Sequence, residues 1–181
     1  MSELPHIAHV LALEPSSRGL CFVAFDKERH LIDWGGFEAR TLKNERCLRV
    51  ARNLFRGFRP VHVVLEDGEA KSSRRRGRIR TLLRAITDDA SQDGCSVVPV
   101  PRKKVRQRFC VYGISSTDDI ASSVCYLYPE LRARLPKKRQ PWESEHYSLA
   151  LFEAAALGVT FFDLIDDPKA GPTARHSKRS R

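Results

Sequence analysis

Two apolar runs in this chain each end on a glutamate, LALE at Glu14 and VVLE at Glu66. A third acidic cluster, Glu143 and Glu145 with His146, lies in the segment WESEHYS. Carboxylates joined by one imidazole are a ligand set suited to Mg²⁺ or Mn²⁺. Two such ions roughly 4 Å apart can activate a water and stabilise the leaving oxygen in phosphodiester cleavage. Each location also has a plainer use. An acid closing a strand is often a solvated end, and acids opening a helix complement its dipole. The metal reading therefore requires all three locations to meet in one topology, with Glu14, Glu66, Glu143 and His146 as ligands and Glu145 in reserve.

The elements that must bring them together are legible from periodicity. Residues 6–14 form an apolar run that reads as a buried central strand. After the turn at Pro15–Gly19 come strands over 20–25 and 30–37, an antiparallel meander. Leu48, Ala51, Leu54, Phe55 and Phe58 recur at helical spacing over 43–58. A short strand, 61–65, leads to Glu66. A second helix over 74–90 has Ile79, Leu82, Leu83 and Ile86 as its core face. Residues 95–100 read as a fifth strand, and the basic segment PRKKVRQRF follows. Ser115 or Ser116 can cap a third helix, in which Ile120, Val124, Leu127 and Leu131 are apolar. A last helix is predicted over 142–157, opened by the acidic cluster and closed by Gly158. Glu143 and His146, three apart, would share a face of it. The order β-β-β-α-β-α-β-α-α predicts a five-stranded mixed sheet with helices on both faces. Ligands of such open sheets gather at the carboxyl ends of the strands.

The charge pattern suggests a partner. The 181 residues carry a net charge of +10, which points to a polyanion. Charge alone could serve solubility, but its distribution is uneven. KSSRRRGRIRTLLR follows Glu66 closely, and Arg76, Arg80 and Arg84 make a stripe on the second helix. Arg74, Arg75, Arg76, Arg78, Arg80 and Arg84, with Lys103, Lys104 and Arg106 further on, are the candidate phosphate contacts. Tyr112, Tyr126, Tyr128 and Trp142 are candidates for base stacking, or equally for the core. DNA is the expected polymer, with RNA open. Five scattered cysteines without a C-x-x-C argue against a disulfide framework or a thiolate zinc site. The N-terminal residues lack the character of a secretion signal and no apolar run approaches bilayer length, so a cytoplasmic, membrane-free protein is expected. Residues 1–166 are expected to form one domain, and 167–181 a basic disordered tail.

The series LALEPSSRGLCFVAFD, LIDWG and VVLEDG resembles the RuvC-type resolvases of the ribonuclease H-like superfamily. VVPVPRKKVRQRFCVYGISSTDDIASSVCYLYPEL is similar to that family's Pro-x-x-Val-Lys stretch and the helix after it. WESEHYSLALFEAAALG is similar to its last helix, which opens with two carboxylates or a histidine and a carboxylate. The resemblance covers about residues 8–158. It departs at Glu14, where the family normally has aspartate, and in the last-helix cluster. It implies a ribonuclease H-like fold and a Mg²⁺- or Mn²⁺-dependent endonuclease, acting as a homodimer on branched DNA. A non-catalytic nucleic-acid-binding module on the same fold is the alternative.

Overall fold

The computed structural model describes residues 8–71, 73, 75–110, 116–138, 140, 142 and 146–166. Strands β1 (Val10–Pro15), β2 (Gly19–Phe25) and β3 (Leu31–Glu38) form the meander. Helix α1 (Lys43–Phe58), strand β4 (His62–Glu66), helix α2 (Gly77–Gln92) and strand β5 (Ser96–Val100) follow. Three helices close the described chain: α3 (Arg102–Cys110), α4 (Thr117–Leu127) and α5 (Leu149–Asp166). A short 3₁₀ helix, Pro129–Arg134, stands between the last two. The sheet order is β3-β2-β1-β4-β5, antiparallel through the meander and parallel from β1 to β4 to β5. This is the expected mixed sheet.

Alternation along the strands divides the core in two. Leu11 and Leu13 of β1 and Val63 and Leu65 of β4 pack with α1 and α2. Val10, Ala12 and Val64 pack on the other face, with α3, α4 and α5. The parity has a direct consequence for the acids. Glu14 follows Val10 and Ala12, and Glu66 follows Val64, so both carboxylates emerge on the α5 face. The parallel register pairs Leu13 with Leu65, and one further step sets Glu14 beside Glu66 on neighbouring strands.

Three expectations need correction. The basic segment after β5 is helical. Val105 and Phe109, four residues apart, are both buried, and this single apolar face is enough to fold a turn otherwise dominated by charge. The last helix begins at Leu149, not at residue 142. His146 Nδ1 accepts the Ser148 backbone N–H at 3.3 Å, and the first turns are tight, with Leu149 N–H bonding the His146 carbonyl at 3.0 Å. His146 therefore precedes the helix, and the shared helical face proposed for Glu143 and His146 is absent at its His146 end. Glu143 and Glu145 themselves lie outside the described residues.

Gly158 does not end the helix either. It sits in the middle of α5, where an added Cβ would come within 2.3 Å of the Phe25 ring. Glycine lets the helix approach the sheet, and the helix continues for two turns beyond it. Ser116 caps α4 as expected, in a reciprocal capping box with Asp119. Cys47 and Cys125 are buried free thiols, Cys21 and Cys95 half-buried ones. No described helix is long and apolar enough to cross a membrane. The anticipated tail, 167–181, lies outside the described residues.

Candidate active site

Glu14 and Glu66 are almost wholly buried, 1% and 5% exposed. They meet a third carboxylate that sequence reasoning missed. Glu153, in the second turn of α5, lines the same small cavity of about 30 Å³ as Glu14 and Glu66. Its signal was present in the sequence: Glu153 is the only charged residue between Leu149 and Phe162. A lone acid in an otherwise apolar helix must find a partner on burial.

Here the partners are arginines. Arg75, just before α2, donates from Nε to Glu66 at 2.7 Å and from Nη2 to both Glu66 and Glu14. Arg102, the first residue of α3, lies 3.5 Å from Glu66 through Nη1 and pairs with Glu153 through Nη2. Burial pushes the Glu14 carboxyl up to about 7 against the pull of Arg75, and the neighbouring Glu66 charge adds to the rise. Burial works against the charge on Arg75, but Glu14 and Glu66 together outweigh it and hold the guanidinium firmly protonated.

A wide cleft of about 740 Å³ adjoins the acids. Its walls include Ser16, Lys43, Arg75, Arg76, Arg78, His146, Tyr147 and Glu153. His146 thus lies on the cleft wall with Glu153, outside the inner cavity, and its Nδ1 is 2.7 Å from Ser148 Oγ. Tyr147 carries the His146 ring 4.6 Å from its own and the Arg18 guanidinium 4.6 Å over its face. Among the aromatics singled out from sequence, Tyr126 and Trp142 are strongly exposed, whereas Tyr128 packs on Phe25 in the core. Tyr112 lies outside the described residues.

The basic residues divide by role. Arg75 and Arg78 turn inward, Arg78 to Asn44 Oδ1 and the Ser16 carbonyl, both at 2.8 Å. Arg76, Arg80, Lys103 and Arg106 are exposed, Lys104 is half-buried, and Arg84 pairs with Glu69 on the surface. Arg74 lies outside the described residues.

The donor set of three carboxylates fits a hard divalent ion in type and burial. Its spacing is set by the guanidiniums. Among the described residues, the only three groups with ligand atoms all within 4.8 Å of one another are Asp26, Glu28 and His30. That cluster is a largely exposed turn at the opposite end of the sheet, where Asp26 already bonds His30.

A mixed sheet in this order, with acids closing its two central parallel strands and a helix acid set against them, is the ribonuclease H-like fold in its RuvC form. A Thermus thermophilus RuvC structure aligns with 87% of this chain and 95% of its own, at 17% identity and a TM-score of 0.62. T. thermophilus RuvC in complex with Holliday junction substrate aligns with 89% of this chain and 96% of its own, at 16% identity and a TM-score of 0.62. At such identity the likeness is one of fold. No protein-family model and no curated protein matches the sequence.

Proposed function

We propose that the protein is a metal-dependent endonuclease acting on structured or branched DNA. The observation that carries this reading is the convergence of buried Glu14 and Glu66 with half-buried Glu153 beside a cleft with cationic walls. Those three carboxylates would hold Mg²⁺ or Mn²⁺, with His146, Glu143 and Glu145 as further candidates. When bound, the ions would activate water and stabilise the leaving oxygen of the phosphodiester. The chain's own residues bind and orient. Arg76 and Arg80 on one side, and Lys103 and Arg106 on the other, are exposed cations that would hold backbone phosphates. Tyr147, 45% exposed on the cleft wall, offers a face to an unpaired base.

The solved complex of T. thermophilus RuvC with a Holliday junction supports DNA as the polymer. A four-way junction presents two symmetric scission points, which favours a homodimer. Half-buried Val50, Leu54 and Phe58 of α1 line a shallow groove available for such a contact. The test is cleavage of a four-way junction by the full chain with Mg²⁺ or Mn²⁺. Glu66→Gln should abolish cutting and leave binding intact, and robust cleavage by that variant would refute the assignment.

A second reading has its own support. Two guanidiniums already neutralise most of the acidic charge, as would suit a non-catalytic DNA-binding module. Junction binding that persists while neither the wild type nor Arg75→Ala takes up Mn²⁺ would establish that reading instead.

A further inference from the structure

Arg75 separates two spaces. It lines the wide cleft but not the inner cavity, whereas Glu14 and Glu66 line the cavity but not the cleft, and Glu153 borders both. An ion arriving from the cleft therefore meets Arg75 before it meets the strand-end carboxylates. The guanidinium sits between them, bonded to both. Its position matches the role a divalent ion would have, as the positive charge joining two buried acids on adjacent strands. A guanidinium and a dication cannot share that pair, because like charges repel strongly where water is scarce.

The side chain has somewhere to go. Arg75 stands just before α2, outside any helix or strand, and its side chain is 17% exposed. Rotation about its own bonds can carry the charged end into the cleft without unfolding a helix or strand. Lys43, Arg76 and Arg78 line the same cleft, so a displaced Arg75 joins a set of cations suited to a phosphate.

Resting on the reading that these carboxylates take a divalent ion, we infer that Arg75 is a built-in counter-cation that closes the site. It must leave those two carboxylates before the ion can take them. A backbone phosphate that receives the guanidinium holds the site open, so substrate and ion each favour the binding of the other. Arg75 is then a gating residue. It exchanges carboxylate partners for phosphate.

The test compares Mn²⁺ binding by the full chain, wild type and Arg75→Ala, by calorimetry without DNA. The variant should bind Mn²⁺ more tightly, by about tenfold to a hundredfold, the range of typical coupling between sites. Equal or weaker binding by folded Arg75→Ala overturns the inference. A measurement on the wild type keeps the question open to refutation if that variant does not fold. In nuclear magnetic resonance of the arginine side chains, the Arg75 Nε–H bonded to Glu66 should lose its protection from solvent exchange as Mg²⁺ is added. Protection retained at saturating Mg²⁺ refutes the gate and leaves the metal site standing. Absence of metal binding and of junction cleavage in both proteins refutes the nuclease reading, and the gate falls with it.

Discussion

Replacing Glu66 by glutamine keeps the side-chain volume and removes one charge from the centre of the ion-pair network. The Glu66 side chain is 4% exposed and the Arg75 side chain 17% exposed, so solvent screens their interaction little. Glu66 accepts Arg75 Nε at 2.7 Å and lies 3.5 Å from Arg102 Nη1. Removing one member of a buried pair typically costs about 3–5 kcal/mol, because the other charge is stranded. Neither arginine is stranded here, since Arg75 keeps Glu14 and Arg102 keeps Glu153. The loss therefore falls toward that of one charge-assisted hydrogen bond, about 2 kcal/mol. A double-mutant cycle of Glu66→Gln with Arg75→Gln, followed by urea unfolding, isolates the pair. The expected coupling is about 1.5–3 kcal/mol. Single losses that add in the double variant to within about 0.5 kcal/mol would show that Arg75 does not hold Glu66, and the proposed ion-pair network would fail.

Three further outcomes concern other parts of the molecule. Gly158→Ala gains about 1 kcal/mol of helix propensity but drives a methyl to 2.3 Å from buried Phe25. Overpacking of about 1–3 kcal/mol should win, and an unchanged or raised melting temperature would contradict the close packing of α5 on the sheet. Burial, helped by the neighbouring His9, holds the His62 imidazole below its ordinary 6.5, and its buried Nδ1 has no hydrogen-bond partner among the described residues. The unfolded chain thus binds the proton more readily, so stability falls as pH drops below 6.5. His62→Leu should flatten that acid limb in unfolding midpoints, and parallel curves would exclude His62 as its source. Arg80→Ala and Arg106→Ala should each weaken DNA binding and lower the salt slope by about 1 for each phosphate no longer neutralised. Slopes identical to the wild type would remove those residues from the interface.

Element order and the placing of two acids are set by local pattern alone. Strand alternation and helical spacing are properties of neighbouring residues, so β1 to β5, α1, α2 and α4 are legible in the sequence within a few residues. Their order, with glutamates closing β1 and β4, was enough to indicate a mixed sheet of the ribonuclease H-like kind. The position of the third carboxylate was not determined in this way. Glu143, Glu145 and His146 have the composition of a metal site. Among the described residues, Glu153 is the acid that α5 carries onto the two strand-end acids, because the helix begins at Leu149 and packs close at Gly158.

The roles of the arginines were likewise decided in three dimensions. A run such as RRRGRIR has the same local character at every position. Burial and reach then turn Arg75 and Arg78 inward while Arg76 and Arg80 face solvent. Charge along a chain can point to a polyanion. Which of those charges are held by the protein's own carboxylates, and so closed to any partner until displaced, depends on distances that only the tertiary structure sets.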